Sequence, residues 1–145
     1  MRRAIFIVVA LLLGACGFDA KTDVMFECPS PSGAKIATLY RISHGNNPIN
    51  QEMNINIRKA DRDFDDGTAS FSFTFGYDAI IRWQSEHDMR IEYPLDSELT
   101  HQETKIFGTT KIFSIKDTIH ITYQQSPSTH GYFIIEQRCF NDVPQ

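Results

Sequence analysis

The chain has no apolar run long enough to cross a bilayer: its longest, Ala4 to Leu13, has ten residues, where a spanning helix needs about 20. It has no excess of positive charge either. Fourteen Lys and Arg stand against 18 Asp and Glu, a formal net charge of -4, and without a basic stripe the phosphate-driven binding of DNA or RNA is excluded. Cysteine is scarce, at three residues. None lies in a C-x-x-C pair or beside a histidine at ligand spacing, which excludes a local dithiol or zinc motif. His44, His87, His101, His120 and His130 fall on separate segments, with no H-x-H or H-x-x-x-H among them. No G-x-S-x-G is present, so the nucleophile elbow of the α/β-hydrolases is excluded. No stretch keeps a 3.6-residue period through three turns, which excludes a long amphipathic helix. What remains is 145 residues, 41% hydrophobic and 22% charged, the size and balance of one modest globular domain.

The apolar run explains itself by its flanks. Arg2 and Arg3 precede it and Gly14, Ala15 and Cys16 follow it, the basic start, apolar middle and small-residue end of a secretory signal. Leu13-Gly14-Ala15-Cys16 resembles the lipobox of bacterial lipoproteins. The resemblance implies cleavage before Cys16, so that residues 1–15 are a signal peptide, and lipidation of Cys16 as the first residue of the mature chain. Position 17 is Gly, not the Asp that retains such lipoproteins at the inner membrane, so the resemblance implies an outer-membrane anchor facing the periplasm. A single acyl chain binds a membrane only marginally, at about 0.8 kcal/mol per buried methylene, so the several chains of a lipoprotein give a firm tether. Loss of Arg2 and Arg3 takes the balance to 12 minus 18, or -6, which gives the mature chain no electrostatic reason to lie flat on anionic lipid.

With Cys16 lipidated, Cys28 and Cys139 are left in an oxidising compartment and make one pair with nothing over. Their bridge would close a loop of a little over a hundred residues, for which the chain-entropy model gives roughly 4 to 5 kcal/mol.

Residues 16–23 are short and polar and read as the lipidated cysteine and its tether, and 24–145 read as a single all-β domain. Alternation marks the strands: Ile36, Thr38 and Tyr40 against Ala37, Leu39 and Arg41; Met53, Ile55 and Ile57 against Asn54, Asn56 and Arg58; and Phe71, Phe73 and Phe75 against Ser70, Ser72 and Thr74. Further candidates are Ile80 to Gln84, Met89 to Tyr93, Thr109 to Ile115, Ile119 to Gln124 and Gly131 to Arg138. Short turns such as Ser30-Pro31-Ser32-Gly33, Asp66-Gly67 and Ser126-Pro127-Ser128 separate them. The pattern predicts a small antiparallel sandwich or strongly curved sheet. Phe71, Phe73 and Phe75 are expected to share a buried face, with Ser70, Ser72 and Thr74 pointing outward or into a polar second layer. Asp88 to Tyr93 and Asp117 to Tyr123 both run from an acidic turn to Ile-x-Tyr and read as two similar hairpins.

Ser30-Pro31-Ser32-Gly33-Ala34-Lys35-Ile36-Ala37 resembles the hairpin starts of β-propeller blades and of small uncharacterised bacterial envelope proteins. With Trp83 before a turn and Ile91-Glu92-Tyr93 after it, the likeness to the latter covers much of the mature chain. It implies a β-fold and no particular activity.

The sharpest polar cluster is Asp61-Arg62-Asp63-Phe64-Asp65-Asp66-Gly67. Alternating carboxylates open a calcium loop, which makes Asp61, Asp63 and Asp65 calcium candidates. The sixth place holds Asp66 instead of Gly and the twelfth Ser72 instead of Glu, so the loop is incomplete and reads as a solvated turn between two strands. Ser43-His44 and Ser85-Glu86-His87-Asp88 hold triad residue types without the separation a triad is assembled from. Glu86, Asp88, Glu92, Asp96 and Glu98 read as solvated turn carboxylates, and His120 as a residue on the wet face of its strand. No cofactor is expected. The chain reads as a noncatalytic binding or assembly module of the envelope, partnered by the membrane through its lipid and by another envelope protein. The alternative follows from a second likeness. Ser32-Gly33-Ala34 resembles part of the S-G-x-x-Y loop of periplasmic lysozyme-inhibitor lipoproteins, with Ile36 where that loop has Tyr, and implies inhibition of a wall-degrading enzyme.

Overall fold

A computed structural model describes residues 20–45, 51–106, 117–127 and 137–142. The expected signal peptide 1–15, Cys16, His130, the strand candidate 109–115 and all but the last two residues of the candidate Gly131 to Arg138 lie outside these residues. Ten strands are described: β1 (Ala20–Pro29), β2 (Lys35–His44), β3 (Gln51–Lys59), β4 (Phe71–Thr74), β5 (Ile80–Trp83), β6 (Asp88–Pro94), β7 (Glu98–Gln102), β8 (Lys105–Ile106), β9 (Ile119–Ser126) and β10 (Cys139–Asn141). They form two five-stranded sheets, β1-β2-β3-β4-β7 and β10-β5-β6-β9-β8. No helix long and apolar enough to cross a membrane occurs among the described residues.

Strand alternation builds the sandwich. Ala37 pairs with Ile57, Leu39 with Ile55, Ile55 with Phe71 and Met53 with Phe73, so these side chains share one face of the first sheet. In the second sheet Ile81 pairs with Ile91, Trp83 with Met89, and Met89 with Ile121. Both sets are buried and meet in one core, each large apolar side chain contributing roughly 1.5–3 kcal/mol by leaving water. Phe71 touches Phe73, Tyr93 and Tyr123, with its ring centroid 4.7 Å from that of Tyr123.

The outer face of the first sheet is polar and yet buried. Thr38, Asn54, Asn56 and Ser72 lie there, and the acidic segment folds over it. Asn56 donates to the Thr68 carbonyl at 2.6 Å, Tyr40 donates to the Asp66 carbonyl at 2.9 Å, and Ser72 donates to Asn54. Phe64 packs edge-on against Tyr40, with Arg58 across its ring. The expected polar second layer behind the Phe stripe is therefore present, roofed by the acidic turn.

Three expectations need correction. The first strand begins at Ala20, not at the expected boundary after residue 23, because Ala20 to Asp23 pair with His44 to Arg41. The second sheet is mixed: β6 and β9 run parallel, as do β5 and β10. Asp88–Tyr93 is the second arm of the β5–β6 hairpin and Asp117–Tyr123 leads into β9, which pairs antiparallel with β8; β6 and β9 themselves lie side by side and parallel, since the chain crosses to the first sheet as β7 and returns as β8 before β9 starts. Phe71 and Phe73 are buried, but Phe75 is 59% exposed. β4 ends at Thr74 and Phe75 turns to a left-handed φ of 58°, which breaks the two-residue period and costs about 1–2 kcal/mol for a residue with a Cβ.

Cys28 and Cys139 form a disulfide, with Cα atoms 5.3 Å apart, that joins β1 at the edge of one sheet to β10 at the edge of the other. Beside it the Trp83 indole donates to the Cys28 carbonyl at 3.1 Å.

Candidate functional site

Three loops converge where β1 ends. In the first, Ser30-Pro31-Ser32-Gly33 makes the turn into β2: the Gly33 amide donates to the Ser30 carbonyl at 2.8 Å, and Gly33 takes a φ of +74°, which glycine adopts without Cβ strain. The Ser30 and Ser32 hydroxyls accept from the amides of Lys35 and Ala34. In the second, between β5 and β6, Ser85 donates to the Asp88 carboxylate at 2.7 Å and accepts from the His87 amide at 3.0 Å. The third is Asp117-Thr118, leading into β9.

Lys35 locks them together. Its side chain is 7% exposed, and the ammonium sits 2.7 Å from the Asp117 carboxylate and donates to the Glu86 carbonyl at 2.8 Å. A charge removed from water at this cost survives only if paired and hydrogen-bonded, so all three loops must keep their positions for Lys35 to stay where it is. Glu86 closes the ring from outside, its carboxylate accepting the Ser32 amide. Burial pushes the Glu86 carboxyl up, but the Ser32 amide, the Ser32 and Ser30 hydroxyls and the Lys35 charge outweigh it and hold the group below its ordinary value. The His87 ring turns to the Thr118 carbonyl at 3.1 Å, with Asp117 3.8 Å away. The outcome is a stiff rim on which Ser32, Gly33, Ala34 and His87 are exposed.

Of the residues singled out in the sequence, Ser85, Glu86, His87 and Asp88 come together here, with the Ser85 hydroxyl committed to Asp88 and not to the imidazole. Glu92, expected in a solvated turn, lies instead within β6 on the outer face of the second sheet, 2.7 Å from Arg82 and 3.3 Å from Arg90; Arg82 also stacks 4.0 Å from the Phe140 ring centroid. His120 is exposed, as its strand position predicts. Asp61, Asp63 and Asp65 do not converge. Asp65 accepts its own Gly67 amide at 2.9 Å, Asp66 accepts from Thr22, and no group of three His, Cys, Asp or Glu side chains able to hold a metal occurs among the described residues. Lys35 and Asp117 are the residues that sequence reasoning did not single out for chemistry. A lysine at the first position of a strand, directly after a serine-rich turn, is the available signal.

Compared with protein-family models, with curated proteins and with solved structures, the chain matches none.

Proposed function

We propose that this chain is a lipid-anchored, noncatalytic envelope domain that binds a protein partner through the Ser32–His87 rim. The observation that carries the proposal is the Lys35 clamp. A buried ion pair that fixes three loops has already met the ordering cost that flexible loops would meet on binding. It does so at one end of the sandwich while the chain enters at the other. Phe73, Met53, Arg41 and Asp23 form one row across the first sheet, and Ala20 lies beyond that row, away from Cys28 and the rim. A domain tethered through Cys16 presents the rim outward. The small-residue lipobox, the two arginines before it and Gly17 support the outer membrane as the site of anchoring.

A second reading draws on the same rim. The Ser32-Gly33-Ala34 tip is exposed, and its backbone is fixed from within by Ser30 and from outside by Glu86, the form expected of a plug for the cleft of a wall-degrading enzyme.

Two measurements test the proposal. Palmitate labelling is expected at Cys16 and is lost in Cys16→Ser. The tethered protein is expected to capture a stable partner from solubilised envelope, to lose it in Ser32→Arg, and to keep it in Gln124→Arg on the outer face of the second sheet. Equal capture by both variants overturns the rim as the binding surface. If the captured partner is a muramidase that the purified domain slows, the inhibitor reading replaces the assembly one.

A further inference from the structure

The end of the sandwich from which the chain emerges has a different surface. β4 runs past the Phe73–Met53–Arg41–Asp23 row into Phe75, and β1 runs past the same row back to Ala20, so both lie at this end. With strands about 4.8 Å apart, Phe75 and Ala20 are separated across the sheet by about 15 Å. Phe75, Tyr77 and Leu95 are each more than half exposed. Gly76 explains how they are held out. It is itself buried, and a Cβ there would stand 2.6 Å from the Ser97 hydroxyl, 2.8 Å from the Phe73 ring and 3.1 Å from Pro94. The β4–β5 turn thus presses on the β6–β7 turn through a residue without a side chain, and the rings on either side of it face away from the core. Leu95 is fixed by its amide, which donates to the Ser126 carbonyl at 2.9 Å.

We propose that this end seats on the lipid bilayer, with Phe75, Tyr77 and Leu95 in the boundary between headgroups and acyl chains. The proposal rests on the lipid anchor at Cys16. From Cys16 to Ala20 there are four residue steps, which span at most about 14 Å when fully extended. The headgroup layer of one leaflet is itself about 5–8 Å deep. Because pairing begins at Ala20 and not after residue 23, the tether is half the length that the sequence suggested, and it holds this end of the domain against the headgroups. Aromatic and aliphatic side chains there match what interfacial anchors use. Asp96 and Glu98 lie at the same end, so the contact is apolar and not electrostatic, in keeping with the acidic balance of the chain.

The test uses the full lipidated chain in vesicles of phosphatidylethanolamine and phosphatidylglycerol with a brominated acyl chain, which quenches an indole only at close range. Trp83 is buried and supplies a constant background. In Phe75→Trp, and separately in Leu95→Trp, the added emission is expected to fall by roughly half or more relative to unbrominated vesicles, with no dependence on salt or on the phosphatidylglycerol content. In Ala34→Trp, at the opposite end, it is expected not to change. Protein that floats with the vesicles but shows no quenching at either position overturns the docking and leaves the anchor standing. Protein that does not float removes the anchor and the docking with it. Quenching abolished by salt overturns the apolar contact. Shielding of the Phe75→Trp indole in native envelope membranes, with none in protein-free vesicles, assigns this end to a protein partner and also overturns the proposal.

Discussion

At one end of the sandwich a lysine is buried so that three loops stand still; at the other a glycine is buried so that apolar rings stand out. The rim around Lys35 contains charge, satisfied on all sides, and shows the solvent small and polar groups. The end around Gly76 contains close-packed backbone and shows the solvent Phe75, Tyr77 and Leu95, one of them in a strained conformation. Solubility alone favours neither arrangement, since a large exposed apolar patch is a liability unless something covers it. The difference teaches that burial of an unusual group is informative chiefly for what it displays on the other side.

Removing the disulfide is expected to have the largest effect, because it unties the two sheets from each other. Cys28→Ser with Cys139→Ser frees a loop spanning 111 residues and costs about 4–5 kcal/mol in the chain-entropy model. Urea unfolding measures this, and an unchanged midpoint would contradict a structural role. Phe73→Ala and Phe75→Ala sharpen the comparison within one strand and its turn. The first, fully buried, is expected to cost about 3–5 kcal/mol; the second, exposed and at positive φ, is expected to leave the melting temperature nearly unchanged. Equal losses would mean that Phe75 packs after all.

At the clamped end, Asp117→Asn leaves the Lys35 charge without its carboxylate. The expected cost is about 2 kcal/mol, below the range for fully buried pairs because Asp117 keeps contact with water. Lys35→Met, which removes the charge itself, is expected to cost less; the reverse order would show that the ion pair does not govern the rim. Between the ends, Tyr40→Phe removes the bond to the Asp66 carbonyl for about 1 kcal/mol. Burial, and after it the charges of Asp66, Glu52 and Asp65, push the Tyr40 hydroxyl above its ordinary value of 10.0. Its contribution is therefore complete below pH 10 and lost as the pH rises beyond it, and the variant is expected to show a flatter alkaline limb in a pH-dependent melt. The smallest effect belongs to Glu86→Gln. Glu86 is held below its ordinary 4.5, so it stabilises above that pH and ceases to do so as the pH falls through its folded value. The wild type is expected to lose its small advantage over the variant only in acid.

The strands β2 to β6 and β9 are legible in the sequence, because a face packed on a core imposes a period of two on any strand long enough to show it. Phe71 and Phe73 carry that period; Phe75 continues it in the sequence but not in space, since Gly76 forces the turn one residue earlier than hydrophobicity suggests. β7 is not legible. Its five residues are all exposed, so backbone pairing and not side-chain burial decides it. The start of β1 is hidden for the same reason: Ala20 to Asp23 are polar or small and are held by His44 to Arg41. Parallel pairing of β6 with β9 depends on where the chain travels between them, which no local pattern records. The rim was half legible: Ser30 to Gly33 announce a turn and Ser85 to Asp88 another, but the buried Lys35–Asp117 pair that locks them joins residues more than eighty positions apart and leaves no local trace.

β1 has a mechanical consequence. Its nine residue pairs with β2 form a ladder parallel to the strand axis, so a pull on Ala20 along that axis against the rest of the first sheet loads those pairs together, in shear, and does not open them one after another as a zipper. At the far end of the same strand Cys28 is bonded covalently to β10, and load that reaches it passes into the second sheet.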